Sequence, residues 1–328
     1  MKKKVFVTGA TGFTGGHLCR ILVDKGYSVG ALVRKSSKTN ELEKLGVKPV
    51  VGDLANLNSL NGALEDIDTV FHVAAAYRQE GISKEQFWKV NVDGTRALLE
   101  FANQSKVKRF VHCSTVGVQG EIKNPPAKES DPYQPGDHYQ ESKMEGEKLA
   151  LKFFEERGLD GVVVRPVGIF GPGDLRFLKL FKFINNGKFR MIGKGDVLYH
   201  LTFVEDLVQG IILAGQKKEA SGNIYTVGGE EFMTLKKLVA LIAETLNKPV
   251  PKKSIPLKPV YIAAVMCETI CRPLGIEPPL YRRRLDFFTK DRAFDISKAK
   301  KELGYKPQVP LKQGLKITAK WYKENNLI

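Results

Sequence analysis

Tyr139 and Lys143, in the segment Y-Q-E-S-K, are the residues whose types and spacing most directly suggest chemistry. On a helix, positions i and i+4 share one face, so a phenol and an ammonium at this spacing point into the same cleft. A phenol ionises at a pKa of about 10, and lowering that value by ~3 units requires on the order of 4 kcal/mol, which a nearby positive charge helps to supply. The pair therefore predicts a group that exchanges a proton with a substrate hydroxyl or carbonyl. Because Y-x-x-x-K arises about once by chance in a Lys-rich chain with 10 tyrosines, the prediction needs support from other motifs.

A glycine-rich segment near the start of the chain, V-T-G-A-T-G-F-T-G from Val7 to Gly15, predicts a cradle for a dinucleotide pyrophosphate. An apolar run precedes it and an amphipathic stretch, His17 to Lys25, follows, which together indicate strand, tight turn and helix. Glycines let backbone N–H groups approach phosphate, and the helix N-terminus favours the anion. The spacing G-x-x-G-x-x-G departs from the commoner G-x-G-x-x-G, and a turn without ligand is the alternative. The cofactor contacts assigned to this loop are Gly9, Thr11, Gly12, Phe13 and Gly15.

Two further motifs follow the glycine loop in a recognisable order. S-T at positions 114 and 115 ends a predicted strand, and R-P-V-G-I-F-G-P-G-D runs from Arg165 to Asp174 after the Tyr139–Lys143 pair. Together with F-D-I-S-K-A-K-K-E-L-G-Y from Phe294, this order resembles the extended short-chain dehydrogenase/reductase family over nearly the whole chain. That family contains nucleotide-sugar epimerases and dehydratases, 3β-hydroxysteroid dehydrogenases and dihydroflavonol reductases.

The resemblance implies roles for five residues of a catalytic site. Tyr139 is the acid/base, while hydride passes to or from the nicotinamide, and Lys143 also holds the nicotinamide ribose. The family places a Ser or Thr that orients the carbonyl at the end of the fifth strand, which matches Thr115, with Ser114 as the alternative. Asn91 is expected to position the site through backbone and water contacts.

The end of the second predicted strand, Tyr27 to Val33, bears on the choice between NAD and NADP. An acidic residue there accepts hydrogen bonds from the ribose hydroxyls of NAD, but this chain has Arg34, followed by a basic and hydroxylic stretch. A guanidinium binds a 2′-phosphate in bidentate geometry, so we predict NADP, with NAD as the alternative. A surface loop that is merely basic is the competing interpretation.

Other cofactor contacts are expected at the carboxyl ends of further strands, where doubly wound sheets bind their ligands. The resemblance places Asp53 beside the adenine. Small side chains at Ala74, Ala75 and Ala76 leave room for a ligand to cross the strand end, although helix or core packing also explains them. The remaining expected contacts are Leu54, Pro166 and Ile169, the last two passing over the nicotinamide.

Alternation of short apolar runs with helical patterns predicts an α/β protein with a Rossmann-type, doubly wound parallel sheet and a smaller, mixed C-terminal substrate lobe. The long helix Glu85 to Gln104 and a short helix, Leu175 to Lys188, belong to this prediction. The predicted nucleotide domain comprises residues 1–165 plus about 198–227, and the substrate lobe comprises residues 166–197 plus 228–328. His72 is predicted to be a core histidine.

The charge and cysteine content of the chain indicate which kinds of partner and ligand the protein binds. A formal net charge of +16 raises the question of nucleic acid or a membrane surface. The lysines are scattered through helical stretches without interleaved aromatic residues, so we predict solvated faces, no nucleic-acid partner and no stable membrane insertion. Four cysteines lack paired metal-ligand spacing, which predicts no metal site and a cytoplasmic location. The family resemblance leaves open a homodimer through the helices Glu85 to Gln104 and Tyr139 to Glu156.

These observations predict an NAD(P)-dependent oxidoreductase for a bulky, largely apolar alcohol or ketone. An apolar helical stripe, Val260 to Cys271, is expected in the lobe that covers the substrate, although an ordinary core-facing helix fits it as well. A nucleotide-sugar epimerase or dehydratase is the second hypothesis. The segment with Tyr199 and His200 lacks the family's usual diphosphate-binding Arg, but Arg282 to Arg284 could meet a diphosphate. A non-catalytic nucleotide sensor on the same scaffold is the third.

Overall fold

A parallel seven-stranded sheet lies at the centre of the computed structural model, which describes residues 2–56, 62–77, 82–271, 273–276 and 278–328. In this part of the chain the strands are β1 (Lys4–Thr8), β2 (Ser28–Val33), β3 (Lys48–Val51), β4 (Thr69–His72), β5 (Arg109–Cys113), β6 (Gly161–Pro166), β7 (Gly168–Phe170), β8 (Met191–Ile192), β9 (Leu198–Phe203), β10 (Ile224–Val227), β11 (Phe232–Thr234) and β12 (Ser254–Ile255). The central sheet has the order β10–β6–β5–β4–β1–β2–β3, and all of its neighbouring strands run parallel. This is the strand order of doubly wound dinucleotide-binding sheets, which confirms the predicted fold class.

Helices cover both faces of this sheet and build the smaller lobe. They are α1 (Phe13–Asp24), α2 (Asn40–Lys44), α3 (Lys84–Trp88), α4 (Gly94–Gln104), α5 (His138–Arg157), α6 (Leu178–Asn185), α7 (Val204–Gln216), α8 (Leu235–Thr245), α9 (Leu257–Cys271), α10 (Arg282–Thr289) and α11 (Leu311–Glu324). Single π-helical turns lie at Lys89–Asp93 and Ala299–Leu303, and 3₁₀ turns at Val116–Gln119 and Lys218–Ala220. Among the described residues, each helix is either too short or too polar to cross a bilayer.

Strand side chains alternate between two cores because successive residues of a strand point to opposite faces of the sheet. Val162 and Val164 of β6 pack in one core, which α1 and α7 cover, whereas Val163 packs in the other. That second core lies beneath α4 and α5, with Leu98 and Phe154 as two of its members. Burial on both faces explains the nearly continuous apolar runs of these strands.

The smaller lobe has its own core around the three-stranded sheet β11–β9–β7, where α6, α8 and α11 pack together. Residues late in the chain tie this lobe to earlier ones. Tyr322 donates a hydrogen bond from Oη to the carbonyl of Asp174, and the carboxylate of Asp206 accepts the backbone N–H groups of Gln308 and Val309. Helix α11 therefore contributes both to the core of this lobe and to its attachment to Asp174.

Three predicted helices differ from the observed ones. The first begins at Phe13, directly after Gly12, rather than at His17. The segment Glu85 to Gln104 is not one α-helix but α3, a π turn and α4, because the backbone takes one wider turn at Lys89–Asp93. The short helix predicted for Leu175 to Lys188 covers only Leu178–Asn185, since the carboxylate of Asp174 accepts the N–H groups of Arg176 and Phe177 in a turn before it. Predicted strand ends differ from the observed ones by about one residue.

Candidate active site

The glycine loop is packed so tightly that its glycines have no room for side chains. A Cβ atom on Gly15 would lie 2.1 Å from the carbonyl oxygen of Gly9, and Gly9 itself has a φ of +76°. Gly12 caps α1 and brings no side chain that could occupy the helix's first N–H groups. These donors remain available to an anion, as the cradle for a pyrophosphate requires.

A cleft of about 1270 Å³ runs along the carboxyl ends of the central strands. It is lined by the predicted cofactor residues, namely Gly9, Thr11, Gly12, Phe13, Gly15, Arg34, Asp53, Leu54, Ala74, Ala75, Ala76, Tyr139, Lys143, Pro166 and Ile169. Ser114 and Thr115 line the same cleft. Of the predicted site residues, only Asn91 lies behind the cleft wall. Among the described residues, no group of three or more His, Cys, Asp or Glu side chains is arranged to hold a metal ion.

Tyr139 and Lys143 lie one turn apart near the start of α5, which Asp137 caps by accepting the N–H of Gln140 at 2.9 Å. The Lys143 side chain is buried, and its Nζ donates to the carbonyl oxygen of Cys113 at 2.7 Å. Burial lowers the pKa of Lys143, while Cys113 and Glu147 act in the opposite direction. The ring of Tyr139 packs edge-on against that of Tyr77, with centroids 5.2 Å apart. Contacts with neighbouring groups therefore hold both side chains in place.

Asn91 fastens the strand-end alanines to the catalytic helix. Its Oδ1 accepts the N–H of Ala76 at 2.8 Å, while Nδ2 donates to the carbonyl of Ala76 and to Oγ of Ser142. Asn91 belongs to the π turn, whose backbone approaches α5 so closely that a Cβ on Gly146 would lie 2.4 Å from the Asn91 oxygen. The π turn thus brings the amide of Asn91 between two walls of the site.

The two hydroxyls at the end of β5 have different environments. Oγ1 of Thr115 accepts the N–H of Gly117 at 3.1 Å and so begins a 3₁₀ turn. Oγ of Ser114 is buried and has no hydrogen-bond partner among the described residues. Since buried polar groups are nearly always satisfied, Ser114 is suited to bond a ligand in the cleft. The choice between Ser114 and Thr115 therefore stays open at this point.

A network of buried histidine and threonine side chains supports the floor of the site. His72 contacts Oγ1 of Thr8 at 2.8 Å and Oγ1 of Thr95 at 2.9 Å, and Thr95 donates to the carbonyl of Asn91. Burial lowers the pKa of His72 to about 3. His72 is thus a neutral core residue, as expected from the sequence.

A buried ion pair holds the opposite side of α5. The guanidinium of Arg165 donates to the carboxylate of Glu147, with the shortest contact at 2.6 Å, and Tyr133 also donates to this carboxylate. Both charged side chains are almost completely buried, so breaking the pair would leave an uncompensated charge. Arg165 begins the R-P-V-G motif, and its partner lies one turn after Lys143.

The other end of the cleft contains residues that the sequence did not single out. Apolar side chains there are Ile82, Phe177, Leu180, Leu201, Phe287 and Phe294, and the cation Arg292 accompanies them, whereas Arg176 lies over the ring of Phe13 in the glycine loop and pairs with Asp174 at 2.6 Å. The guanidinium of Arg292 donates to Oη of Tyr199 at 2.7 Å, and Tyr199 donates to the carbonyl of Phe287. These residues come from separate segments with no shared motif, and tertiary contacts such as the bridge between Tyr199 and Arg292 bring them together.

Two groups of residues considered for the substrate end lie outside the main cleft. Arg282 to Arg284 do not line the main cleft, because Arg282 pairs with Glu268 at 2.7 Å and Arg283 with Asp137 at 2.9 Å. Arg283 instead borders a smaller cavity of about 440 Å³ beside Tyr139. The apolar stripe within Val260 to Cys271 does not line the cleft either, because its large side chains point to the protein surface.

The sheet, the glycine loop and the Tyr–Lys pair in one cleft define a Rossmann-fold enzyme of the nicotinamide-dependent kind. The chain belongs to the NAD dependent epimerase/dehydratase family, whose model matches residues 5–228. It is similar to a putative dihydroflavonol 4-reductase of Synechocystis sp., with 32% identity over 98% of this chain and 95% of that protein. A sterol-4-alpha-carboxylate 3-dehydrogenase, decarboxylating, from Mus musculus is 30% identical over 96% of this chain and 90% of its own length. Among solved structures, a dTDP-glucose 4,6-dehydratase from Streptomyces venezuelae with NAD bound has a TM-score of 0.79 and 26% identity over 98% of both chains.

Proposed function

We propose that this protein is an NADP-preferring oxidoreductase that interconverts a secondary alcohol and a ketone on a bulky, largely apolar small molecule. The observation that carries the proposal is the presence of Tyr139 and Lys143 in the same cleft as the glycine loop. A nicotinamide, when bound, supplies or accepts the hydride. The first N–H groups of α1 would hold its pyrophosphate, and Lys143 its ribose.

The residues of the chain provide the proton and the orientation. Tyr139 transfers a proton between its phenol oxygen and the substrate oxygen. Lys143, buried one turn away, favours negative charge on that phenol oxygen because few water molecules screen its own charge. A hydroxyl of Thr115 or Ser114 donates to the substrate oxygen and orients the carbonyl. Asn91 keeps Ala76 and α5 in register and acts as a positioning residue.

The substrate class rests on the lining of the cleft rather than on α9. Apolar and aromatic side chains, among them Leu180, Phe287 and Phe294, surround the substrate end and favour a ligand with apolar surface. The names of two relatives, a dihydroflavonol 4-reductase and a sterol-4-alpha-carboxylate 3-dehydrogenase, point to ring systems of this kind. We infer a bulky alcohol or ketone.

The preference for NADP rests on the far end of the cleft. Arg34 and Ser37 both line it, and the backbone N–H of Arg34 donates to Oγ of Ser37 at 3.2 Å. A guanidinium beside hydroxyls suits a 2′-phosphate, whereas a carboxylate would repel one. NAD remains the alternative cofactor. We further infer that the enzyme is cytoplasmic. A homodimer that forms through α4 and α5 is a further hypothesis, which light scattering can test.

A nucleotide-sugar epimerase or dehydratase is the second candidate. Arg292 lines the cleft and offers positive charge to a diphosphate, in place of the arginines expected at positions 282–284. The similar dTDP-glucose 4,6-dehydratase fits this alternative. Under it, a nucleoside diphosphate alone would raise the thermal midpoint of the cofactor-bound protein, and Arg292→Ala would abolish the effect.

Turnover assays separate these hypotheses. Purified protein with NADPH or NADH is offered a panel of ketosteroids, dihydroflavonols and alkyl oxo acids, beside UDP- and dTDP-sugars, and cofactor absorbance and product are followed. We expect oxidation of NADPH with at least one bulky apolar ketone. Conversion of a nucleotide sugar alone would favour the second candidate. Tight cofactor binding without turnover of any substrate would favour a nucleotide sensor.

A further inference from the structure

One face of α9 exposes a run of large apolar side chains. We define the α9 face as Tyr261, Ile262, Met266 and Ile270, which are 47%, 59%, 58% and 59% exposed. Ile262, Met266 and Ile270 follow one another at intervals of four residues and therefore form one stripe along the helix. Contiguous apolar exposure of this kind marks an interaction site rather than an ordinary protein surface.

The side of α9 that packs against the protein carries a small residue and a charged residue rather than large apolar ones. Ala264 and Glu268 are its two fully buried residues, and they lie about 200° around the helix axis from Met266 and Ile270 respectively. The carboxylate of Glu268 accepts the backbone N–H of Arg282 at 3.0 Å and its Nε at 2.7 Å, which ties α9 to α10. A helix at a protein–water boundary normally buries its apolar face, so α9 is oriented for a non-aqueous surface.

Positive charge flanks the α9 face. In the sequence, residues 248–284 contain eight Lys or Arg and two Glu. One of those two, Glu268, pairs with Arg282, and Arg283 pairs with Asp137, so these two arginines are largely neutralised and the lysines carry the excess of positive charge. Lys252 and Lys253 lie shortly before α9, Lys258 lies in its first turn, and all three are exposed. An apolar stripe with basic flanks is typical of helices that lie in the interface of an anionic bilayer.

We propose that the α9 face binds the surface of an anionic lipid bilayer, with Ile262, Met266 and Ile270 among the acyl chains and the flanking lysines at the phosphate level. Charge favours this partner over a second copy of the chain, because two copies packed through this face would bring their basic residues together. Lipid phosphates instead neutralise them. Attachment of this kind is peripheral, which agrees with helices too short or too polar to span a bilayer in the described residues.

The position of α9 would place a bound bilayer close to the substrate end of the cleft. It packs on α10, and Phe287 of α10 lines the substrate end of the cleft. A bilayer bound at the α9 face would therefore lie on the lobe through which an apolar substrate enters. Binding to lipid itself does not depend on the proposed function, so the two can fail separately.

Co-sedimentation of the full chain with vesicles tests the proposal. The vesicles are pure phosphatidylcholine or phosphatidylcholine mixed with phosphatidylglycerol. We expect binding to the mixed vesicles that weakens as salt rises, and at least a tenfold lower partition coefficient for the triple variant Ile262→Ser, Met266→Ser, Ile270→Ser. Lys252→Glu with Lys253→Glu should lower binding to mixed vesicles only. Ile317→Ser, on α11 and also exposed, is the matched control that retains binding.

NADPH affinity and the thermal midpoint, measured for every variant, show that the fold and cofactor site are intact. Absence of wild-type binding to anionic vesicles, or equal binding by the intact triple variant, would overturn the proposal. Sedimentation velocity tests whether a second copy of the chain binds the α9 face instead. A dimer that the triple variant converts to a monomer, without any vesicle binding, would assign the α9 face to a second copy of the chain.

Discussion

The cofactor end of the cleft is built from loops that each follow a parallel strand, whereas the substrate end is assembled from segments far apart in the chain. At the cofactor end, glycines and backbone groups form most of the wall, as the close approach of Gly9 and Gly15 illustrates. At the substrate end, side chains such as Tyr199 and Arg292 define the wall. The first end therefore tolerates little change in backbone space, and the second can change by single side-chain replacements.

Tyr139→Phe, at the point where the two ends meet, should have the largest effect. We expect turnover to fall by about 10²-fold or more while cofactor affinity stays within a few-fold, because only the proton relay is lost. Lys143→Ala should damage both properties. Tyr77→Phe, which removes another hydroxyl from the same cleft, is the control with near-normal turnover. Normal turnover by Tyr139→Phe would remove this residue from the mechanism.

Gly15→Ala tests the claim that backbone space controls the cofactor end. Its Cβ would lie 2.1 Å from the Gly9 oxygen, so the loop must shift, and we expect a loss on the order of 30-fold in cofactor affinity, about 2 kcal/mol. Gly16→Ala is the matched control, since its nearest neighbour, the Ala10 oxygen, would lie at 3.4 Å. Calorimetric titration of both variants measures the difference. Equal affinities would show that the loop adapts freely.

Arg34→Ala tests whether a side chain also contributes to cofactor affinity at the cofactor end of the cleft. A charge-assisted pair is worth roughly 1.5–3 kcal/mol, so NADP affinity should fall by about 10-fold or more while NAD affinity is spared. Lys35→Ala, one residue further along, should change neither affinity strongly. Parallel titrations with both cofactors measure this. If Arg34→Ala weakens both cofactors equally, Arg34 does not recognise the 2′-phosphate.

Arg292→Ala should have the smallest effect if the substrate is apolar. Removal of its bond to Tyr199 loosens one wall, so we expect KM to rise by about three- to fivefold with unchanged cofactor affinity. Arg190→Ala is the control, because that guanidinium also bonds to nearby carbonyls but lies outside the cleft. A loss of ~100-fold or more in affinity for a nucleoside diphosphate would instead support the nucleotide-sugar candidate.

The same contrast explains what could be predicted from the sequence. Strands, the glycine loop and the Tyr139–Lys143 pair are encoded by neighbouring residues, and their motifs, taken together in the family's order, predicted cleft positions for Gly9, Arg34 and Lys143, which all line the cleft. Arg176 and Arg292 were missed because no local motif marks them, and it is the fold of separate segments that brings each of them to the cleft. The ion pairs of Arg282 and Arg283 could not be predicted for a related reason, since their partners Glu268 and Asp137 lie on other segments of the chain.

Helical periodicity had two specific limits. It identified the apolar residues of the segment Glu85 to Gln104, but a single π turn changes the phase without altering composition, so the turn that carries Asn91 gave no signal. It also predicted a helix with an apolar stripe within Val260 to Cys271. Periodicity does not say whether such a stripe meets the core or the surface, and here Glu268 is the buried partner instead. The division into two domains by residue number stays a prediction.

Because α11 is the last helix of the chain and packs in the smaller lobe, we expect this lobe to fold late during synthesis. Domains fold as the growing chain emerges, from the N-terminal side first. The last strand of the central sheet ends at Val227 and its core is completed by Ile296, Ala299, Leu303 and Tyr305, so the nucleotide cradle can assemble while Tyr322, which bonds to Asp174, is still untranslated. A nascent chain would thus be able to hold a dinucleotide before it has a place for a substrate, and the cofactor would act as an early ligand that stabilises the half-made enzyme on the ribosome.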